Sequence, residues 1–155
     1  MKTVAIVQAR LGSTRFPNKV LKPLGKSSIL KTVLDRLNLA KHIDEICCAT
    51  TDLPQDDAIV REVKKYGFSV FRGSNFDVLD RYVEAARNSK ADVVVRVTSD
   101  CPCVDPEIVD ALIKLLNTKN VCYVSNNMPR SFPIGMDVEV FSRQALELAA
   151  LSATK

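Results

Sequence analysis

Apolar and polar positions along this chain follow two periods that alternate with each other. Short, β-branched apolar runs predict strands at residues 3–8, 45–50, 68–71, 92–98 and 121–125. Between these runs, apolar residues recur at helical spacing and predict helices at residues 28–40, 55–66, 77–89 and 106–117. Because strands alternate with helices, the pattern predicts an α/β fold with a mostly parallel sheet and helices on both faces.

Two local signals bear on helix boundaries and on the extent of the domain. Asp105 followed by Pro106 predicts a helix start, because aspartate caps a helix and proline fits its first position. The last segment, residues 142–155, is also helix-like and reaches the final residue without a stop signal. A chain of 155 residues is long enough for one domain with a sizeable core. We therefore expect a single domain over residues 1–155 that lacks its C-terminal part.

The segment between residues 8 and 19 is the most informative part of the chain. It directly follows the first predicted strand and contains three cations, Arg10, Arg15 and Lys19, together with Gly12. Backbone N–H groups near a glycine, Ser and Thr hydroxyls, and arginine guanidinium groups suit the oxygens of a phosphate chain. The alternative is an ordinary solvated polar loop between a strand and a helix.

The distribution of charge favours a phosphate site. Through Lys41 the chain has nine Lys and Arg residues and one acid, whereas the remainder has 13 basic and 17 acidic residues. A cationic entrance to a concave site concentrates anionic ligands. Nucleic acid fits less well, because only Phe16 interleaves with these cations and no stacking platform accompanies them. The sequence therefore predicts a small polyphosphate ligand and no nucleic-acid partner.

A second candidate element follows the fourth predicted strand. In parallel sheets, ligands bind beyond the carboxyl ends of the strands. Asp100 and the basic loop should therefore face the same crevice. A carboxylate beside bound phosphates is a natural ligand for Mg²⁺, which takes few carboxylates and shares phosphate oxygens. The alternative is an aspartate that caps the turn before Pro102.

A third candidate element is the segment of residues 133–141. Its alternation predicts a strand with Asp137 and Glu139 on one face and apolar residues on the other. These two acids either form a solvated strand face or approach a metal ion.

Cysteine content and hydropathy indicate the compartment. The five cysteines are odd in number and mostly lie in apolar runs, so we expect buried free thiols in a reducing cytosol. A zinc site is improbable because His42 is the single histidine of the chain. The chain has no apolar signal region and no apolar run that could cross a bilayer, which predicts a cytoplasmic protein without a membrane partner.

Five segments together resemble a known family. They are residues 9–19, 49–57, 72–82, 99–106 and 132–141, and the likeness covers essentially the whole chain. The most specific segment is the first, with the pattern A-R-x-G-S-x-R-x-P-x-K. The chain resembles the cytidylyltransferases that activate sugar acids, which include the CMP-acylneuraminate and CMP-Kdo synthetases. The likeness is greatest to the spore coat polysaccharide biosynthesis branch.

The resemblance carries its own expectations about fold and activity. It implies a Rossmann-like three-layer αβα nucleotidyltransferase domain that transfers CMP from CTP to a sugar acid with Mg²⁺ as cofactor. The process would be the biosynthesis of surface polysaccharide or glycoconjugate, and the full-length protein would be a homodimer. Two alternatives stay open, a truncated nucleotide-binding module without catalysis and a nucleotidyltransferase that uses another base.

The resemblance also implies roles for individual residues. The nucleotide contacts would be Ala9, Arg10, Leu11, Gly12, Ser13, Arg15 and Lys19. Arg10 and Lys19 would be catalytic, Asp100 and Asp137 would bind the metal, and Arg130 would meet the acidic sugar. Two departures stand out: Asn18 lies where the branch commonly has glycine, and relatives continue beyond Lys155 with a further metal carboxylate.

Overall fold

The computed structural model describes residues 1–12 and 16–153, in which a six-stranded sheet has helices on both faces. The strands of this sheet are β1 (Thr3–Gln8), β4 (Glu45–Thr51), β5 (Ser69–Gly73), β6 (Val93–Thr98), β7 (Tyr123–Ser125) and β8 (Glu139–Ser142). Their order is β5-β4-β1-β6-β8-β7. The first four are mutually parallel, and β8 runs antiparallel to both of its neighbours. The mostly parallel sheet predicted from the sequence is therefore confirmed.

The helices are α1 (Ile29–Leu37), α2 (Asp57–Lys65), α3 (Val78–Asn88), α4 (Pro106–Lys119) and α5 (Arg143–Ser152). A small hairpin, β2 (Pro23–Leu24) with β3 (Ser27–Ser28), precedes α1 and was not predicted. Apart from the segment of residues 133–141, each predicted helix and strand corresponds to an observed one, with ends that differ by up to three residues. The last helix, α5, ends at Ser152.

Two hydrophobic cores lie on opposite faces of the sheet, and alternate residues of β1 enter each core. Ala5 and Val7 pack with α1, α2 and α4, whereas Val4 and Ile6 pack with α3 and α5. All four side chains are fully buried. Because successive residues of a strand point to opposite faces, a continuous apolar run is required wherever both faces are covered.

The segment before β8 corrects one prediction. Residues 133–141 were expected to form a strand with Asp137 and Glu139 on one face, but β8 begins only at Glu139. The side chain of Asn126 accepts a hydrogen bond from Val138 N at 2.9 Å and donates one to Met136 O at 2.7 Å. These side-chain bonds satisfy the backbone on either side of Asp137, which therefore lies in the loop before the strand.

The cysteines are free, as expected, but only some of them are buried. Cys47, Cys48 and Cys101 are buried, whereas Cys103 and Cys122 are exposed. Burial raises the pKa of the Cys47 thiol to about 12, so this thiol stays protonated and unreactive. Within residues 1–12 and 16–153, no helix has the length and apolar character needed to span a membrane.

The start of α4 provides a test of local stability. Asp105 Oδ1 accepts hydrogen bonds from Glu107 N at 2.8 Å and Ile108 N at 3.4 Å, and Pro106 is the first helical residue. We expect Asp105→Ala to lower the free energy of unfolding by about 1 kcal/mol, because the cap is lost. Asp105→Asn keeps an acceptor and should match the wild type in urea denaturation. Equal losses in both variants would contradict the capping role.

Candidate nucleotide-binding site

The carboxyl ends of the parallel strands converge on one edge of the sheet, and a cavity of about 390 Å³ lies there. Its lining comes from the ends of β1 and β6, the loop after β1 and the first turn of α3. The lining residues are Gln8, Ala9, Arg10, Gly12, Lys19, Val20, Val78, Arg81, Thr98, Ser99 and Asp100. The basic loop and Asp100 thus face the same crevice, as the sequence pattern predicts.

The other predicted nucleotide contacts have different positions. Leu11 is not among the described residues that line the cavity, and its side chain packs against the core under α1, α2 and α4. Ser13 and Arg15 lie outside the described residues. Of the predicted nucleotide contacts, the loop therefore brings Ala9, Arg10, Gly12 and Lys19 to the cavity.

An ion pair joins the two predicted halves of the site. Lys19 Nζ lies 2.6 Å from Asp100 Oδ2, although the two residues are 81 positions apart in the chain. Partial burial disfavours the ionised Asp100 carboxyl, but hydrogen bonds from Lys19 and Thr98 and the charge of Lys19 outweigh it and lower its pKa. The cavity thus holds a lysine cation and an ionised carboxylate in contact, each available to a ligand of opposite charge.

This ion pair makes the stability depend weakly on pH. A lowered pKa in the folded state means that the pair stabilises the fold above the ordinary aspartate value of 3.8. That contribution is lost as the pH falls through the folded-state pKa. Because the Asp100 side chain is 45% exposed, we expect the ion pair to contribute less than about 1 kcal/mol to the free energy of unfolding.

The variant Lys19→Met tests this dependence. The midpoint of the Asp100 carboxyl titration, followed by NMR, should move upward towards 3.8. In urea denaturation, the variant should be less stable than the wild type at neutral pH and equally stable below the folded-state midpoint. A titration midpoint that does not move would show that Lys19 does not set the charge of Asp100.

The backbone of residues 18–21 holds Lys19 at the rim of the cavity. Asn18 adopts a left-handed conformation with φ 57° and ψ 22°, which asparagine tolerates better than most residues. It leads into a single 3-10 turn, Lys19–Leu21, in which Val20 is buried. Because Val20 is anchored in the core, its neighbour Lys19 is fixed beside Asp100. Asn18 therefore supports this left-handed turn without a glycine.

Asp56 binds the backbone of the loop after β1 from the buried side and was not predicted as a site residue. It is fully buried, its Oδ1 accepts a hydrogen bond from Leu11 N at 2.8 Å, and its Oδ2 accepts one from the Thr51 hydroxyl. A Cβ on Gly12 would lie 3.3 Å from Gln55 Nε2, so glycine allows the loop to approach this segment closely. In the sequence, Asp56 is visible only as part of an acidic pair, residues 56–57, and such a pair is also typical of a solvated helix start.

Arg81 is the second residue that the sequence did not single out. It lines the cavity but is only 2% exposed, and its Nη1 donates to Ser74 O at 2.6 Å. Burial is the main cause that lowers its pKa. Tyr82 opposes that shift, and the nearby charge of Arg10 adds to it. The feature that could have identified Arg81 is its position as a cation on the apolar face of α3, next to the buried Tyr82.

Arg130 and Asp137 form an ion pair with each other. Two guanidinium nitrogens of Arg130 lie 2.5 and 3.3 Å from the two carboxylate oxygens of Asp137, and this bond raises the pKa of Arg130. Neither residue belongs to the described lining of the cavity. In this structure, the predicted sugar contact, Arg130, is therefore paired with the predicted second metal ligand, Asp137.

The donor set of the cavity suits one mode of metal binding. Across residues 1–12 and 16–153, no group of three or more His, Cys, Asp or Glu residues could hold a metal ion. Mg²⁺ does not need such a cage when it is bound by one or two carboxylates together with substrate phosphates and water. The ionised Asp100 beside the Lys19 cation fits that mode.

A mostly parallel three-layer fold with a cationic cavity at its carboxyl edge is typical of nucleotide-binding α/β proteins. The chain can be assigned more closely, because residues 4–153 match the family model described as cytidylyltransferase. This chain therefore belongs to the cytidylyltransferase family.

Individual relatives agree with this assignment. The spore coat polysaccharide biosynthesis protein SpsF of Bacillus subtilis is 43% identical over 113 residues, which cover 70% of this chain and 47% of that protein. A 3-deoxy-manno-octulosonate cytidylyltransferase of Solibacter usitatus is 31% identical over 114 residues, 72% of this chain and 44% of that protein. The chain thus spans about half the length of these relatives.

A solved structure shows the same fold over the whole chain. The structure of a cytidylyltransferase from Leptospira borgpetersenii superposes with a TM-score of 0.94 at 38% identity. The match covers 100% of this chain and 66% of that one. The predicted Rossmann-like three-layer αβα architecture is therefore confirmed.

Proposed function

We propose that this chain binds CTP and carries the nucleotide site of an enzyme that transfers CMP to a sugar acid. The observation that carries the proposal is the cavity in which Arg10 and Lys19 face Asp100. The names of two relatives, a spore coat polysaccharide biosynthesis protein and a 3-deoxy-manno-octulosonate cytidylyltransferase, support surface polysaccharide or glycoconjugate synthesis as the process.

The reaction requires charge neutralisation more than covalent help from the protein. A sugar hydroxyl oxygen bonds to the α-phosphorus of CTP, the bond from that phosphorus to the bridging oxygen breaks, and pyrophosphate leaves. The hydroxyl proton passes to solvent. Arg10 and Lys19 would hold the triphosphate and offset the charge that develops on the leaving pyrophosphate.

The Lys19–Asp100 pair would allow a phosphate group and a Mg²⁺ ion to bind together. A phosphate oxygen replaces Asp100 as the partner of Lys19, and Asp100 is then free for Mg²⁺, which it would hold with phosphate oxygens. When bound, Mg²⁺ supplies further charge neutralisation at the phosphates. Each charged group thus exchanges one partner for another, so neither is left unpaired.

Other parts of the proposal rest on the resemblance to the family. Arg130 would exchange Asp137 for the carboxylate of the sugar acid, since guanidinium groups bind carboxylates with two hydrogen bonds. Asp137 is then available as a second metal ligand. The free buried thiols fit a reducing compartment, which supports a cytoplasmic location. We also propose a homodimer for the full-length protein.

Pyrophosphate release tests the proposal directly. The chain is incubated with Mg²⁺, each of the four ribonucleoside triphosphates and a panel of sugar acids, with omission of the sugar as the control. We expect release with CTP and at least one sugar acid, and much less with the other nucleotides. Binding of CTP without any release would favour the alternative of a non-catalytic nucleotide-binding module. Preference for another nucleotide would favour a nucleotidyltransferase with a different base.

A further inference from the structure

Asp100 lies in a turn, residues 98–101, that is closed by two separate contacts. Cys101 N donates a hydrogen bond to Thr98 O at 3.1 Å. The side chains of the same two residues are also in contact, since Thr98 Oγ1 lies 3.1 Å from Cys101 Sγ. A backbone hydrogen bond between the first and the fourth residue is enough to close such a turn. The contact between the side chains is therefore a constraint beyond the one that the turn needs.

The two closing residues lie on different sides of the turn. Thr98 is the last residue of β6 and lines the cavity together with Asp100. Cys101 is 5% exposed, packs in the core under α1, α2 and α4, and does not belong to the described lining of the cavity. Because protein cores are closely packed, the Cys101 thiol holds the Thr98 hydroxyl from the buried side.

The charge of Asp100 decides which atom donates in this contact. The positions of the two atoms allow either the hydroxyl or the thiol to be the donor. The Thr98 hydroxyl is also hydrogen-bonded to the Asp100 carboxylate, which is ionised and paired with Lys19. An ionised carboxylate can only accept, so the single hydroxyl hydrogen of Thr98 is directed at Asp100. The Cys101 thiol must then donate to Thr98 Oγ1, and a hydrogen-bond chain runs from Cys101 through Thr98 to Asp100.

The Asp100 carboxylate needs this support when a ligand binds. Its side chain is 45% exposed, and its other charged partner is the Lys19 ammonium at 2.6 Å. Under the proposed function, a phosphate oxygen takes Lys19 away from Asp100. Thr98 then remains as a protein group that still holds the carboxylate. Hydrogen-bond partners of metal ligands fix the orientation of those ligands and increase metal affinity.

We propose that Thr98 and Cys101 are positioning residues that hold the Asp100 carboxylate for Mg²⁺; this inference rests on the proposed function. Thr98 acts directly, through its hydrogen bond to the carboxylate. Cys101 acts through Thr98, because its thiol fixes the direction of the hydroxyl group. Both donors keep their hydrogens throughout, so the chain positions a ligand and transfers no proton.

Calorimetric titration with CTP at a series of Mg²⁺ concentrations tests the proposal through Thr98→Val, which keeps the shape and removes the hydroxyl. We expect the Mg²⁺ concentration for half of its effect on CTP affinity to rise by about tenfold, as for other hydrogen-bond partners of metal ligands. CTP affinity without metal should stay unchanged, because the phosphate cations remain. Thr98→Ser restores the hydroxyl and should restore the Mg²⁺ response. The matched control is Thr118→Val, which changes an exposed threonine of α4.

A second experiment needs neither metal nor nucleotide. The S–H stretching band in a Raman spectrum moves to lower frequency when the thiol donates a hydrogen bond. The band of Cys101, identified by its loss in Cys101→Ala, should move to higher frequency in Thr98→Val and stay in place in Thr98→Ser. Cys101→Ala should also raise the Mg²⁺ requirement, by less than Thr98→Val does. Cys103→Ala, which changes an exposed cysteine two positions away, should not.

The outcomes separate this inference from the proposed function. A raised Mg²⁺ requirement in Thr98→Val that serine reverses supports the positioning role. A lower melting temperature with a wild-type Mg²⁺ response would mean that Thr98 only closes the turn, and the proposed function would stand. A Raman band that does not move would overturn the role of Cys101. If Thr98→Val does not fold, the Mg²⁺ response of Cys101→Ala decides. A wild-type chain that binds no CTP would overturn the proposed function, and the inference with it.

Discussion

The variant Asp100→Asn is expected to lose the effect of Mg²⁺ on both CTP binding and turnover. Asparagine has the size of aspartate but lacks the ionised carboxylate that would hold the cation. We expect metal-dependent pyrophosphate release to fall by at least about a hundredfold, since a catalytic metal contributes several kcal/mol to the barrier. In calorimetry, adding Mg²⁺ should no longer increase CTP affinity.

Binding of CTP without metal separates this role from a structural one. Removing Asp100 frees Lys19, so metal-free CTP affinity should persist or rise. Asparagine can still cap the turn before Pro102, so the fold should be retained. Asp105→Asn, a change of the same kind at the start of α4, is the control and should keep its response to Mg²⁺. A normal Mg²⁺ response in Asp100→Asn would mean that Asp100 serves only the turn.

The variant Asp56→Ala is expected to have the largest effect on stability and to weaken nucleotide binding as well. The substitution leaves the Leu11 N–H and the Thr51 hydroxyl without their buried acceptor. Hydrogen bonds to a charged group contribute about 1.5–3 kcal/mol, and we expect the free energy of unfolding to fall by about that amount. CTP affinity should fall too, because the loop after β1 loses its anchor.

The neighbouring residue provides the control for this prediction. Asp57 forms an exposed ion pair with Arg72 at 2.6 Å, a type of contact that contributes about 1 kcal/mol or less. Asp57→Ala should therefore change urea denaturation only slightly and leave CTP affinity unchanged. If both variants lose the same stability and keep full CTP affinity, Asp56 does not organise the loop.

Local sequence patterns were enough to predict most of the elements of this fold. The run from Val4 to Val7 reads as a strand covered on both faces, and all four side chains are buried. Asp105 caps α4 as expected because its partners lie two and three residues away. Patterns of this kind are reliable because periodicity and capping depend on neighbours in the chain.

Where the hydrogen-bond partners of a segment are distant in the chain, the local sequence pattern gave a wrong prediction or none. The alternation at residues 133–141 predicted a strand that includes Asp137, but the Asn126 side chain bonds the backbone on both sides of it. The antiparallel direction of β8 also has no local signal, because strand direction depends on which neighbour the strand pairs with.

The sequence by itself determined the α/β class, the cationic loop after β1 and the expectation that this loop and Asp100 meet at one edge. Only the tertiary structure placed Asp56 behind the loop, 45 positions from Leu11, and brought Arg81 to the end of β1. In sequence, each is one charged residue near a helix start. Their burial, and the hydrogen bonds that hold them there, exist only once the packed elements exclude water.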